Sequence, residues 1–382
     1  RAAAKNHSHV AVVCDPEDYS RVFDEMNHSS GNLSDQTRRQ LAAKVFRRTA
    51  AYDAAIARWF TGEAPSEAFA DRLSLTYRLG STLRYGENPH QTGALYVDAS
   101  APPAALSRFV SVQGKELSYN NLLDADAALF TSRAIGRNAL TIVKHRIPSG
   151  AALGGSLAEA FQRAWQSDPV AGFGGVVAWT GTLDAEGARL LTSRFLEVVV
   201  VHDVGEDALP FLAGKPNLRV LTVTPESGPR PRMEVRGIDG GLLVQEGDVA
   251  EEDQSSWKIV TRRAPSSPEL HALRFAFHVV RGVVSNAIVV SDGIATFGIG
   301  GGRTSRVDAC RDAVTKAGER AAGAVAASDA FFPFPDGLEV LAAAGITAII
   351  QPGGSVKDRD IIEAADAHDL TMIFTGRRHF RH

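Results

Sequence analysis

The hydrophobic pattern divides the chain into a short opening segment and a long stretch in which strands and helices alternate. Val10-Ala-Val-Val-Cys14 is an apolar run closed by Asp15-Pro16, which predicts a strand ended by a turn. From Asp35 to about Phe60 the period becomes helical, with Leu41, Val45, Tyr52, Ala55 and Ile56 on one face and Ser34 as the cap. Gly62 to Glu67, around Pro65, reads as a linker. One strand and one or two helices cannot bury a core alone, so this segment is expected to be the tail of a larger domain.

From about Leu75 the alternation is that of an α/β fold. Leu140-Thr-Ile-Val-Lys144 predicts a buried strand, followed by a turn at Pro148-Ser-Gly150 and an Ala- and Leu-rich helix. Val198-Val-Val-Val201 and Leu218-Arg-Val-Leu-Thr222 predict further strands, and the Pro- and Gly-rich stretch from Thr224 to Arg232 a surface excursion. A second round starts with a helix near Leu270 and the strand Ala287-Ile-Val-Val290. The glycine loop Gly298-Ile-Gly-Gly-Gly302 then leads into a helix with Val307, Cys310, Val314 and Ala317 on one face. Thr347-Ala-Ile-Ile350, a turn at Pro352-Gly-Gly354, a helix to about His368 and a strand near Met372 complete the pattern. Two α/β layers of similar size suggest two subdomains, although the letters show no repeat strong enough to prove a duplication.

Composition narrows the function classes. A hydrophobic content of 44% and a net charge of −3 describe an ordinary globular chain with no surface for a polyanion, so nucleic acid is not an expected partner. Cys14 and Cys310 give no disulfide framework and no zinc-ligand spacing, which fits a reducing, cytoplasmic setting. No run of about 18 apolar residues appears, so a membrane span is not expected. The chain opens Arg1-Ala-Ala-Ala-Lys5 with neither Met nor an apolar leader, as if it starts inside something longer.

Several places could carry chemistry. Lys144-His145 ends a buried strand, where a lysine can stabilise an oxyanion and an imidazole can move a proton near neutral pH; a surface Lys and a hydrogen-bonded His would look the same. Backbone amides between Gly298 and Arg306 could hold an anion, or form a tight structural turn; the stretch is neither a dinucleotide fingerprint nor a P-loop. Ser328-Asp-Ala-Phe-Phe-Pro-Phe-Pro-Asp-Gly337 could wall a flat heterocycle, with Asp336 accepting hydrogen bonds, or simply pack the core. The basic end, Arg377-Arg-His-Phe-Arg-His382, and Arg84-Tyr85 could grip a phosphate. His-x-Glu, Cys-x-x-Cys, His-Glu-x-x-His and Gly-x-Ser-x-Gly are all missing, which disfavours zinc deaminases, zinc proteases and serine hydrolases.

In this order the blocks resemble one family, the bifunctional AICAR transformylase/IMP cyclohydrolases. Arg1-Ala-Ala-Ala-Lys-Asn-His7, Asp15-Pro-Glu-Asp-Tyr19 and Thr49-Ala-Ala-Tyr-Asp53 are similar to the end of the cyclohydrolase domain. Leu83-Arg-Tyr-Gly-Glu-Asn-Pro-His-Gln91, Gly114-Lys-Glu-Leu-Ser-Tyr-Asn-Asn-Leu-Leu-Asp124, Lys144-His145, Phe173-Gly-Gly175, Gly240-Gly-Leu-Leu-Val-Gln245, Ser285-Asn286, Gln351-Pro-Gly-Gly-Ser355 and Arg378-His-Phe-Arg-His382 resemble the transformylase.

The resemblance implies an α/β chain with residues 1–70 as the remnant of a parallel-sheet, methylglyoxal-synthase-like cyclohydrolase and its linker helix. Residues 71–250 and 251–382 would be two cytidine-deaminase-like subdomains without a deaminase zinc site. It implies formyl transfer from 10-formyltetrahydrofolate, as cosubstrate, to the 5-amine of AICAR, in a homodimer with shared active sites. No catalytic metal is implied, and a structural monovalent cation is compatible. Carried over by motif, Lys144 and His145 match the catalytic pair, and Arg84, Tyr85, Arg378 and Phe380 the nucleotide and phosphate positions. Asn286, Arg306 and Phe331 match positions beside the carboxamide and reacting amine; Phe173, Gly174, Glu197 and Asp336 lie towards the folate; Lys5 matches a cyclohydrolase position. Departures from the family pattern are Arg303 for Gln, Gly301 for Ala, Val284 for Lys, Ile147 for Asn and Ala171-Gly172 for Ser-Ala. The extra cation at Arg303 is expected to bear on the proton affinity of Lys144 or His145. The rival readings are a diverged paralogue and a catalytically weak nucleotide-binding subunit.

Overall fold

The computed structural model describes residues 1–61, 69, 71–226, 233–249 and 253–382. The expected linker at 62–67 and most of the excursion at 224–232 lie outside them. The chain divides into two compact units, Arg1–Arg78 and Leu79–His382.

Among its described residues the first unit holds three α-helices, α1 (Ala2–Lys5), α2 (Tyr19–His28) and α3 (Asp35–Thr61). The Ser34 hydroxyl accepts the Thr37 N–H at 3.2 Å and starts α3 as expected. Ala4, Ala42 and Val45 form a small core with Val12 and Cys14 against it. Leu41 and Val45 are buried, whereas Tyr52 and Ala55, expected on the same face, are exposed. The predicted strand at 10–14 is not a strand. The segment packs its apolar side chains against the helices, and no ladder partner stands among the described residues of the unit.

The second unit opens with the pair β1 (Arg78–Leu83, its first residue closing the first unit) and β2 (Gly93–Val97). Its first half then runs β3 (Val110–Gln113), α4 (Tyr119–Ile135), β4 (Ala139–Lys144), β5 (Ile147–Leu153), α5 (Leu157–Trp165), α6 (Pro169–Gly172), β6 (Gly175–Trp179), β7 (Thr182–Leu183), α7 (Ala185–Thr192), β8 (Leu196–Val201), β9 (Asp203–Val204), α8 (Leu209–Ala213) and β10 (Arg219–Thr222). A hairpin of β11 (Met233–Ile238) and β12 (Gly241–Glu246) leads to the second half. That half runs β13 (Lys258–Ile259), α9 (Ser267–Val280), β14 (Ile288–Ser291), β15 (Thr296–Gly300), α10 (Arg306–Ala317), β16 (Val325–Ser328), α11 (Asp336–Ala343), β17 (Ala348–Gln351), α12 (Asp358–Ala367) and β18 (Thr371–Phe374).

Two six-stranded mixed sheets result, with orders β3-β10-β8-β6-β4-β5 and β13-β18-β17-β16-β14-β15. Each has three parallel strands in the middle and antiparallel strands outside, in the same sequence of pairings. The repeat that the letters do not reveal is therefore plain in the topology. Each sheet is buried on both faces, which explains the unbroken valine and isoleucine runs of its central strands. The sheets meet edge to edge at β5 and β15, where Ala152 bridges Ala295 and the Leu153 N–H donates to the Ile294 carbonyl at 2.8 Å.

Two turns predicted from glycine and proline are not turns. Pro148-Ser-Gly150 lies inside β5, and Gly298 and Gly300 lie inside β15. A Cβ on Gly150 would stand 2.0 Å from the Ala164 carbonyl oxygen of α5, and one on Gly298 2.0 Å from that of Ala313 in α10. These glycines let a helix lie directly on its strand. The chain turns earlier, at His145-Arg146, with φ of 51° and 67°, the signs of a type I′ hairpin.

Candidate active site

Several of the residues expected to carry chemistry lie along one rim of the second unit. Lys144 ends β4, and because β4 runs against β6, this carboxyl end lies at the amino ends of the parallel strands β6 and β8. Ligand sites in α/β sheets favour the carboxyl ends of strands, a preference that this rim meets for β4 alone. Lys144 is half-buried and its Nζ donates to the Gly174 carbonyl at 2.8 Å. Gly174 has a φ of 66°, and a Cβ there would come within 3.0 Å of that Nζ. His145 is exposed at the turn. The neighbouring aromatic surface is built from Phe173 and Phe195, both exposed, with ring centroids 5.0 Å apart.

Arg84 and Glu197 share an adjoining cavity of about 450 Å³, also lined by Lys115, Lys215 and Arg219. Glu197 is paired with the buried Arg219 at 2.8 Å. Arg84 and Tyr85 are fixed through their backbones to the start of α4: the Arg84 N–H donates to the Leu117 carbonyl at 2.9 Å, and Tyr119 donates to the Tyr85 carbonyl at 3.2 Å. The Arg84 guanidinium stands 5.5 Å from the centre of the Tyr85 ring.

The second half contributes a buried polar hub around Asp329. Its carboxylate accepts from Arg306 at 2.5 Å, from the Ala287 N–H at 3.0 Å and, in a short bond, from the Ser285 hydroxyl. Arg306, buried itself, also donates to the Ser328 hydroxyl at 2.7 Å and to Asn286 Oδ1 at 2.6 Å. Asn286 further donates through Nδ2 to the Arg303 carbonyl at 2.9 Å. Arg306 is thus committed to Asp329, Ser328 and Asn286. The Arg303 guanidinium pairs with Asp312 of α10, so its charge is largely answered within its own helix and loop.

The chain end docks on the same hub, His379 N–H donating to the Asp329 carbonyl at 2.8 Å. The buried His379 ring meets the Asp248 carboxylate at 2.5 Å. Burial would raise the pKa of Asp248, but His379 and Arg281 outweigh it and hold the carboxyl below its ordinary range. Arg378 lies over the Phe380 ring at 4.7 Å, and Phe380 lines a cavity of about 580 Å³ with Phe130 and Arg146.

The two halves meet on this rim where an ideal Cβ on Gly301 would lie 3.4 Å from Ile147. Phe331 is half-buried beside the fully buried Phe332, so the aromatic loop belongs partly to the core. Asp336 is exposed at the start of α11 and accepts the Gly337 N–H. Lys5 is an exposed residue of the first unit. Three residues escaped the sequence reading: Asp329 and Asp124 stand inside blocks quoted above, and Phe195 carries no signal of its own. Among the described residues no cluster of three His, Cys, Asp or Glu side chains could hold a metal ion, and no helix is long and apolar enough to cross a membrane.

Comparison with known proteins points the same way. A family profile described as AICARFT/IMPCHase bienzyme matches residues 3–316. The chain is 47% identical over its full length to the bifunctional purine biosynthesis protein PurH of Halalkalibacterium halodurans, of which it covers 74%. It is 47% identical to the protein of that name from a Chelativorans species, over the whole chain and 73% of the relative. The Bacillus mycoides protein is 45% identical, over the whole chain and 74% of the relative.

Proposed function

The chain belongs to the AICARFT/IMPCHase bienzyme family of purine biosynthesis, and we propose that it transfers formyl from 10-formyltetrahydrofolate to the 5-amine of AICAR on the rim that carries Lys144 and His145. The observation that carries this reading is the pairing of a lysine anchored on the Gly174 carbonyl with an exposed histidine in the next position. The amine of an aminoimidazole is a poor nucleophile because its lone pair is spread into the ring, so holding it against the formyl carbon supplies much of the rate. His145 takes the amine proton as the tetrahedral species forms, and Lys144 stabilises the oxyanion; on collapse the bond from the formyl carbon to the folate nitrogen breaks, and that nitrogen leaves as tetrahydrofolate with a proton from Lys144 or from the protonated His145.

Around that pair, Arg84, Tyr85, Arg378 and Phe380 take the nucleotide and its phosphate. Asn286 and Phe331 stand beside the carboxamide, and Arg306 acts by holding Asn286. Phe173, Gly174, Glu197 and Asp336 lie on the folate side, where the Phe173–Phe195 pair offers a face for a flat ring. Residues 71–250 and 251–382 are read as cytidine-deaminase-like subdomains, supported by the shared strand order. Residues 1–70, with Lys5, are read as cyclohydrolase sequence. The assembly is read as a cytoplasmic homodimer with composite sites; light scattering showing an active monomer would contradict that.

The chemistry runs through side chains and needs no metal. Stoichiometric zinc together with loss of activity on chelation would overturn this point. The overall reading is tested by incubating the protein with AICAR and 10-formyltetrahydrofolate and following tetrahydrofolate release. AICAR-dependent release is the expected outcome, and none from folded protein refutes it.

A further inference from the structure

The turn that presents His145 is built against local preference. Left-handed φ at two successive residues favours Asn and Gly, yet the chain places His145 and Arg146 there. What holds them is on α4. Asp124 Oδ1 accepts the Arg146 N–H at 2.7 Å. The same helix start receives the backbone of Arg84 and Tyr85, so α4 ties two separate pieces of the site together.

We propose that Asp124 is a positioning residue for His145, fixing the His145–Arg146 turn through the Arg146 N–H. Burial works against an ionised carboxyl at this place and pushes the Asp124 pKa up, although the Arg146 N–H and His145 act in the other direction. Either an ionised or a neutral acceptor at this position can hold the N–H, and a turn held in this way keeps His145 at one place on the rim.

The kinetic part of this inference rests on His145 being the proton acceptor; the structural part does not. The test is amide hydrogen exchange at Arg146, with kinetics, in the parent protein, Asp124→Ala and Asp124→Asn. Exchange at Arg146 should quicken by about tenfold or more in Asp124→Ala and stay near parental in Asp124→Asn, whose amide oxygen still accepts the N–H. The kcat for formyl transfer should fall by about tenfold or more in Asp124→Ala while the KM for AICAR moves less than about twofold, and Asp124→Asn should recover most of it. Asp124→Val replaces Asp124→Ala if that variant does not fold. Unchanged exchange in the variant without an acceptor overturns the proposal whatever happens to kcat. Faster exchange in a protein whose His145→Ala variant still turns over leaves the positioning role standing and refutes the catalytic reading instead.

Discussion

The two halves of the second unit solve the same structural problems, one with neutral groups and the other with charged ones. At the start of β4 the Ala139 N–H donates to the Thr180 hydroxyl at 2.9 Å; at the matching start of β14 the Ala287 N–H donates to the Asp329 carboxylate at 3.0 Å. The long helix of the first half opens with a capping box of Ser118 and Asn121, and that of the second half with one of Ser266 and Glu269. Buried Asp329 then requires buried Arg306, and through it Asn286 is held at the rim. The first half keeps a neutral frame there and spends its irregularity on the His145–Arg146 turn, where the second half has Asp292 and Gly293. Under the proposed function, these departures from local preference serve the site.

The sharpest way to break this comparison is to make the halves alike. Asp329→Ala leaves Arg306 buried without its counter-charge and should destabilise by about 3–5 kcal/mol. Thr180→Ala takes the hydroxyl from the Ala139 N–H and the Gly136 carbonyl, both neutral groups, and should cost about 1–3 kcal/mol. Equal losses in denaturant titrations would mean that the charge makes no difference. Where the halves agree, the effects should too: Gly150→Ala and Gly298→Ala each force a helix off its strand, at about 1–3 kcal/mol apiece by overpacking. A tolerant Gly298 beside an intolerant Gly150 would show that the equivalence is only topological.

The smallest effect concerns the caps. Burial opposes ionisation of Glu269, but Arg263, the Ser266 N–H and Thr347 outweigh it and hold its pKa at about 2. A depressed value means stabilisation present above the ordinary 4.5 and lost as pH falls towards 2. Glu269→Gln should cost about 1 kcal/mol at neutral pH, a gap that closes over that acid window, whereas the cost of Asn121→Ala should not follow it. Thermal melts across pH 2–7 check this, and parallel pH dependence in the two variants would contradict it.

The alternation of strands and helices was legible because both sheets are buried on both faces and write continuous apolar runs. Turns were less so. Gly150 and Gly298 look like loop residues in a sequence, and only the helix lying on them shows why they are glycine. The real reversal at His145-Arg146 has no turn chemistry, since Asp124 on a distant helix supplies what the local sequence lacks. The apolar run at 10–14 resembled a strand because Val12 and Cys14 pack against the small helical core, without a strand partner among the described residues of the unit. For the site, motif blocks brought Lys144, His145, Asn286 and Arg306 into view. They could not reveal that Arg306 is spent on Asp329, which only tertiary burial decides.

The central claim, that the Lys144–His145 rim performs the formyl transfer, is tested most directly by turnover of His145→Ala and Lys144→Ala. Tetrahydrofolate release would be followed under saturating AICAR and 10-formyltetrahydrofolate, with circular dichroism and thermal midpoint confirming the fold. Loss of the histidine should lower kcat by about 10²–10⁴, and loss of the lysine should remove about 2–4 kcal/mol of transition-state stabilisation. Near-parental turnover in both folded variants would place the chemistry elsewhere.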